Sequence, residues 1–172
     1  MNDMEAKPGE ARCAWAETCI TDAEEACIRR LAAILGLRPG NDITLSSTRG
    51  KLPDCAVFDI GHLLVGDTMA FPASKHAFRA QLDLFNRSRP ALQRWLGRLL
   101  ANLPVGPWQG RSNDLEADTN VELRRIAPET DAISDVEIAT LGGDKDGKGG
   151  VEVFTATVLL DVVFSTKEQP KE

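Results

Sequence analysis

The chain has 172 residues, 42% hydrophobic and 27% charged, with 20 Lys+Arg against 26 Asp+Glu and a net charge of −6. These values fit one soluble globular domain and exclude collagen-like and wholly disordered chains. No apolar run reaches the roughly 18 residues of a membrane span, and an acidic chain is poorly suited to wrapping phosphates, although a local basic patch stays open.

The first eleven residues are polar, with Pro8 and Gly9, and read as a loose arm. A helical turn or two around Trp15 could follow, so residues 1–20 are expected to form a flexible N-terminal arm and the folded domain to begin at 21. Thr21-Asp22-Ala23-Glu24 has the pattern of a capping box. Ala23, Cys27, Ile28, Leu31, Ile34 and Leu35 then recur at helical spacing. Gly36 suits the left-handed C′ position and Pro39 blocks continuation, so a helix is predicted over 22–35. Arg29 and Arg30 lie toward its C-terminal half, where the helix dipole favours cations.

Ile43–Ser46 and Cys55–Gly61 read as short strands, with Pro53 just before the second. Residues 61–75 read as a long connection that carries Met69 and Phe71. From His76 to Phe85 the pattern alternates: Phe78, Ala80, Leu82 and Leu84 on one face, Arg79, Gln81 and Asp83 on the other. At Asn86–Pro90 the period changes. Ser88 is a plausible cap, Pro90 fits a first turn, and Leu92, Trp95, Leu96, Leu99, Leu100 and Leu103 form an apolar stripe. Gly97 within it reads as a point of close helix–sheet packing.

A Pro/Gly/Asn/Asp-rich loop over 104–119 contains Trp108. Val121–Ile126 and Val136–Leu141 read as strands, and a glycine-rich tract over 142–150 leads into the last, Val151–Ser165. There Phe154, Ala156, Val158, Leu160, Val162 and Phe164 share one face. Fully extended, that strand would measure about 45 Å, so it should bend or run past its own domain. Residues 167–172 read as a disordered, charged tail. The fold class is therefore α+β: one mixed, mostly antiparallel β-sheet with two amphipathic helices on one face and a long β-hairpin, in a single domain over 21–166.

The chemistry-bearing residues do not assemble into a recognisable centre. Cys13, Cys19, Cys27 and Cys55 contain no C-x-x-C and read as buried, reduced thiols of a cytoplasmic protein. The N-terminus lacks the basic and apolar regions of a signal peptide. Around Asp144, Asp146 and Gly147, a calcium loop would need anchoring carboxylates where Gly142 and Val153 stand. The glycines open no helix and read as a hairpin tip rather than a phosphate cradle. His62 and His76, with Asp59 and Asp67 nearby, show no spacing that forces a metal site or a nucleophile with its base. Arg79, Arg87, Arg89, Arg94 and Arg98 form the one basic segment, better suited to ion pairs than to nucleic acid because no aromatics interleave with it.

The order of elements carries more. A capped helix over Thr21–Leu35 leads to a Leu-Pro-x-x-Ala-Val strand over Leu52–Val57. An alternating strand runs directly into an amphipathic helix over Phe78–Leu103, followed by a glycine-rich hairpin and a long final strand over Val153–Phe164. This order resembles the tail terminator and tail-completion proteins of long-tailed bacteriophages. The resemblance implies a structural virion protein, not an enzyme, with no cofactor. It would form a homo-oligomer, a hexameric ring, that caps the tail tube, ends its polymerisation and offers a head-joining surface. Its partners would be the tail tube protein and a head-side connector protein, with no membrane and with DNA only as passing cargo. It would assemble in the host cytoplasm and reside at the tail end of the virion. Phe71, Arg79, Asp83 and Trp108 are the candidate subunit- or tube-interface residues. The alternatives are a head–tail connector or neck ring protein, a small-ligand or regulatory binding domain, and an enzyme centred on His62 or His76.

Overall fold

The computed structural model describes residues 8–45, 53–63, 75–104, 121–143, 146 and 148–166. Of these, 8–19, 60–63, 75–76, 130–132 and 166 are described by their backbone alone. The described elements are helix α1 (Pro8–Leu35), strands β1 (Ile43–Leu45), β2 (Cys55–Leu63) and β3 (Lys75–Asn86), helix α2 (Arg89–Asn102), and strands β4 (Val121–Ile133), β5 (Glu137–Leu141) and β6 (Val151–Thr166). The expected α+β architecture is present: one mixed six-stranded sheet with both helices on one of its faces.

Helix α1 starts at Pro8, so the expected start near Thr21 is corrected. Pro8 fits a first helical turn, and Glu10, Ala11, Arg12, Ala14, Ala16 and Glu17 are good helix formers, so the Thr21–Glu24 motif lies inside a longer helix. Its end is as expected. Gly36 has φ 71°, and the Leu37 N–H donates to the Ala32 carbonyl at 2.9 Å, closing a Schellman turn. From the partner helix, Arg98 Nη1 donates to the Leu35 carbonyl at 2.7 Å, placing a cation at the negative end of the dipole.

In the sheet, β1 pairs with β2 in parallel and all other pairings are antiparallel, in the order β1-β2-β3-β6-β4, with β5 also on β6. Strand β6 is the spine. It pairs with β3 from Phe154 to Ser165 on one side, and with β4 and then β5 on the other. Val151–Val153 extend beyond the β3 pairing at one end, within the β5–β6 hairpin, and Thr166 at the other. Strand β2 runs on through Gly61 to Leu63, and β4 runs beyond Ile126 through Pro128 to Ile133, each across an irregular register. Between β4 and β5, Ser134 continues the ladder. Its N–H donates to the Thr157 carbonyl at 2.9 Å, and its Oγ accepts from the Thr157 N–H at 2.9 Å.

Helix α2 has the expected cap. Ser88 sits at φ −106° and ψ 117°, and its Oγ accepts from the Ala91 N–H at 3.4 Å. Helix α1 touches β1, β4 and α2, while α2 lies on β3 and β6. Between helices and sheet lie Leu31, Leu35, Phe58, Phe78, Leu82, Leu92, Leu99, Val162 and Phe164, all buried. The Phe78 and Phe164 rings meet with centroids 5.7 Å apart and planes tilted by 57°. Two readings of α2 are corrected. Leu100 is 61% exposed rather than part of the buried stripe, because the helix seats its Leu92–Leu99–Leu103 side on the sheet. Gly97 is no point of helix–sheet packing: among the described residues an added Cβ there would meet nothing within 4 Å.

Candidate interaction surfaces

The sheet alternation places Arg79, Gln81 and Asp83 of β3, with Thr155, Thr157, Leu159 and Asp161 of β6, on the face opposite the helices. Among the described residues no helix covers this face. Arg79 Nε lies 3.2 Å from Glu129 Oε1 and 3.9 Å from Asp161 Oδ1. Asp83 accepts from Thr157 Oγ1 at 2.7 Å and from Gln81 Nε2 at 3.0 Å. Arg79 and Asp83 are therefore half-exposed members of a ladder built within their own sheet, and Glu129, Asp161 and Thr157 join it from strands far away in sequence. Phe71 and Trp108 lie outside the described residues, so of the four candidate positions Arg79 and Asp83 alone are described.

The basic segment disperses. Arg87 closes a fork on Asp54, with Nη2 to Oδ2 at 2.9 Å and the backbone N–H to Oδ1 at 2.9 Å. The guanidinium holds the Asp54 carboxyl below its ordinary value. Arg98 is committed to the end of α1, and Arg79 to the open face. Arg89 and Arg94 are left exposed on α2.

The glycine-rich tract is structural. Gly143 has φ 96° and packs against the backbone of Gly150, and a Cβ on Gly150 would fall 2.5 Å from Thr140 Cγ2. These contacts let the hairpin turn tightly. The hairpin itself stays largely exposed: Ile138 is 67% and Val151 40% accessible. Register puts Ile138, Thr140 and Glu152 on one side of it and Glu137 and Val151 on the other.

Between α1 and β1 runs an open groove of about 540 Å³, lined by Thr21, Glu25, Ile28, Arg29, Ile43 and Leu45 among others. Its volume would admit a small molecule. Its charged side chains, Glu25 and Arg29, are paired with each other. Glu24, nearby on α1, has its carboxyl raised above the ordinary value, first by burial and then by the charge of Asp59.

His62 pairs in register with Arg79 and His76 with Phe164, so the two histidines occupy neighbouring strands at different levels. Cys27 and Cys55 are buried thiols; the side chains of Cys13 and Cys19 lie outside the described set. Among the described residues, no three His, Cys, Asp or Glu side chains gather as a metal ion would require. No described helix is long and apolar enough to cross a membrane. Sequence reasoning missed the exposed Leu100 and Ile138. A signal was present in the Leu99-Leu100 doublet, since a helix seated on a sheet turns one of two adjacent leucines outward. Compared with known families and with curated proteins, the chain matches no family model and no curated relative.

Proposed function

We propose that this protein is a structural component of a long-tailed phage virion. Its copies close into a hexameric ring that caps the tail tube, ends tube polymerisation and presents the head-joining surface. The observation that carries this reading is the β5–β6 hairpin at the edge of the sheet, which leaves Ile138 and Val151 exposed to solvent. Its exposed apolar side chains contribute little to the subunit's own core, whereas a second chain can bury them. The order of elements that resembles the terminator family supports the same conclusion. A ring needs a contact between two different patches of the same chain, and such contacts close when the rotation allows. The net charge of −6 suits an annulus through which DNA passes without adhering.

The test is electron microscopy of particles assembled without the protein. Overlong tails lacking heads are the expected result. Tails of normal length detached from filled heads would overturn the terminator role in favour of a head–tail connector.

A further inference from the structure

Two surfaces of this chain, the β5–β6 hairpin and the exposed face of α2, complement each other in charge. From Ser134 to Thr155 the sequence has five acids (Asp135, Glu137, Asp144, Asp146, Glu152) against two lysines, Lys145 and Lys148. From Arg87 to Asn102 it has four arginines and no acid. Arg87 and Arg98 are occupied by Asp54 and the Leu35 carbonyl, which leaves Arg89 and Arg94 outward on α2. The apolar features match as well. Ile138 is 67% exposed on the hairpin and Leu100 61% exposed on the helix.

Gly97 supplies the independent observation. It stands in the interior of α2, where glycine is a poorer helix former than alanine. Its φ is not positive, and an added Cβ would meet nothing within 4 Å among the described residues. Neither its backbone conformation nor packing among the described residues requires it. One turn on, Ala101 lies on the same face. Gly97 and Ala101 leave a strip of nearly bare helix backbone, flanked by Leu100 on one side and Arg94 on the other. A strand pair can approach such a strip closely.

We infer that the β5–β6 hairpin of one copy docks on the outer face of α2 of a second copy. The hairpin side that carries Ile138, Thr140 and Glu152 faces the helix. Ile138 fills the strip beside Leu100, and Glu152 meets Arg94. Donor and acceptor patches differ and both exist on every copy, so the contact is heterologous and propagates from subunit to subunit. The inference builds on the ring reading and specifies which surfaces make the ring.

Sedimentation velocity of the full chain over a concentration series tests it, alongside thermal unfolding. Gly97→Gln should raise Tm, because glutamine is the better helix former, while weakening self-association at least tenfold. Glu152→Arg and Arg94→Glu should each weaken association, and the double variant should regain it. Wild-type rings that persist unchanged in Gly97→Gln and Glu152→Arg would overturn this docking and leave the ring reading standing. A wild-type chain that remains a single particle at every concentration would overturn both.

Discussion

Strand β6 presents two different surfaces of one backbone. Toward the helices, Ala156, Val158, Leu160, Val162 and Phe164 are at most 1% exposed. Toward the open face, Thr155, Thr157, Leu159 and Asp161 alternate with them, and Leu159 is 38% exposed. The first surface supplies the apolar burial that stabilises the fold. The second carries hydrogen bonds and half-exposed ion pairs, such as Arg79 with Glu129, whose individual contributions are small, beside the buried Val57 and Val153. Exposed positions of the open face such as Leu159 can therefore vary with little loss of stability, whereas Val57 and Val153 on the same face are buried.

The largest effect that would break this comparison is a truncation on each face. Phe164→Ala removes a fully buried ring packed on Phe78 and should cost about 3–5 kcal/mol. Leu159→Thr, on the opposite face of the same strand, should stay within about 0.5 kcal/mol. Urea unfolding measures both: the midpoint should fall steeply for the first and hardly move for the second. Equal losses would mean that the open face is a second core.

The same contrast separates what the sequence made legible from what it did not. The alternation of β3 and β6 and the stripe of α2 were readable because side-chain direction follows backbone period locally. Ser88 and Gly36 were readable because capping chemistry is local too. The turning of α2 that exposes Leu100 and Gly97 depends on how the helix seats on the sheet, which no local window contains. Strands β2 and β4 were read short at Gly61 and Ile126 because irregular pairing is a property of the partner strand. The Thr21 motif was read as a helix start because capping boxes are recognised without regard to the helix-forming run before them. At the candidate surface, Arg79 and Asp83 were placed on the polar face of β3, but their partners Glu129, Asp161 and Thr157 come from distant strands.

A smaller effect sharpens the comparison through pH. The Asp54–Arg87 fork ties the start of β2 to the end of β3, and hydrogen bonds from Arg87 lower the Asp54 carboxyl below its ordinary value. A lowered carboxyl gives stability that is present above the unfolded value, about 4. That stability is lost as pH falls through the depressed one. Asp54→Asn should cost about 0.5–1 kcal/mol at neutral pH, since the fork is partly exposed. The cost should vanish in acid, where both proteins carry a neutral group. Urea midpoints measured from pH 7 down to pH 2 would show the two curves converging; a constant gap would mean that shape, not charge, holds the fork.

Glu24 gives the smallest effect, and it has the opposite sign. Burial on α1, with the charge of Asp59 second, raises its carboxyl above the ordinary value. The native state then holds the proton more tightly than the unfolded chain does. Stability is greatest below the unfolded value and declines as pH rises through the raised one. At neutral pH the ionised side chain is a small liability, and because it is half-exposed, solvent screening limits that liability to a few tenths of a kcal/mol, roughly. Glu24→Gln should therefore stabilise slightly at pH 7 and not at pH 3, opposite to Asp54→Asn. Thermal unfolding of the two variants at both pH values would show shifts of opposite direction at pH 7. A loss of Tm in Glu24→Gln at neutral pH would mean that the ionised carboxylate supports α1, and that the helix-covered side of the sheet also depends on charge.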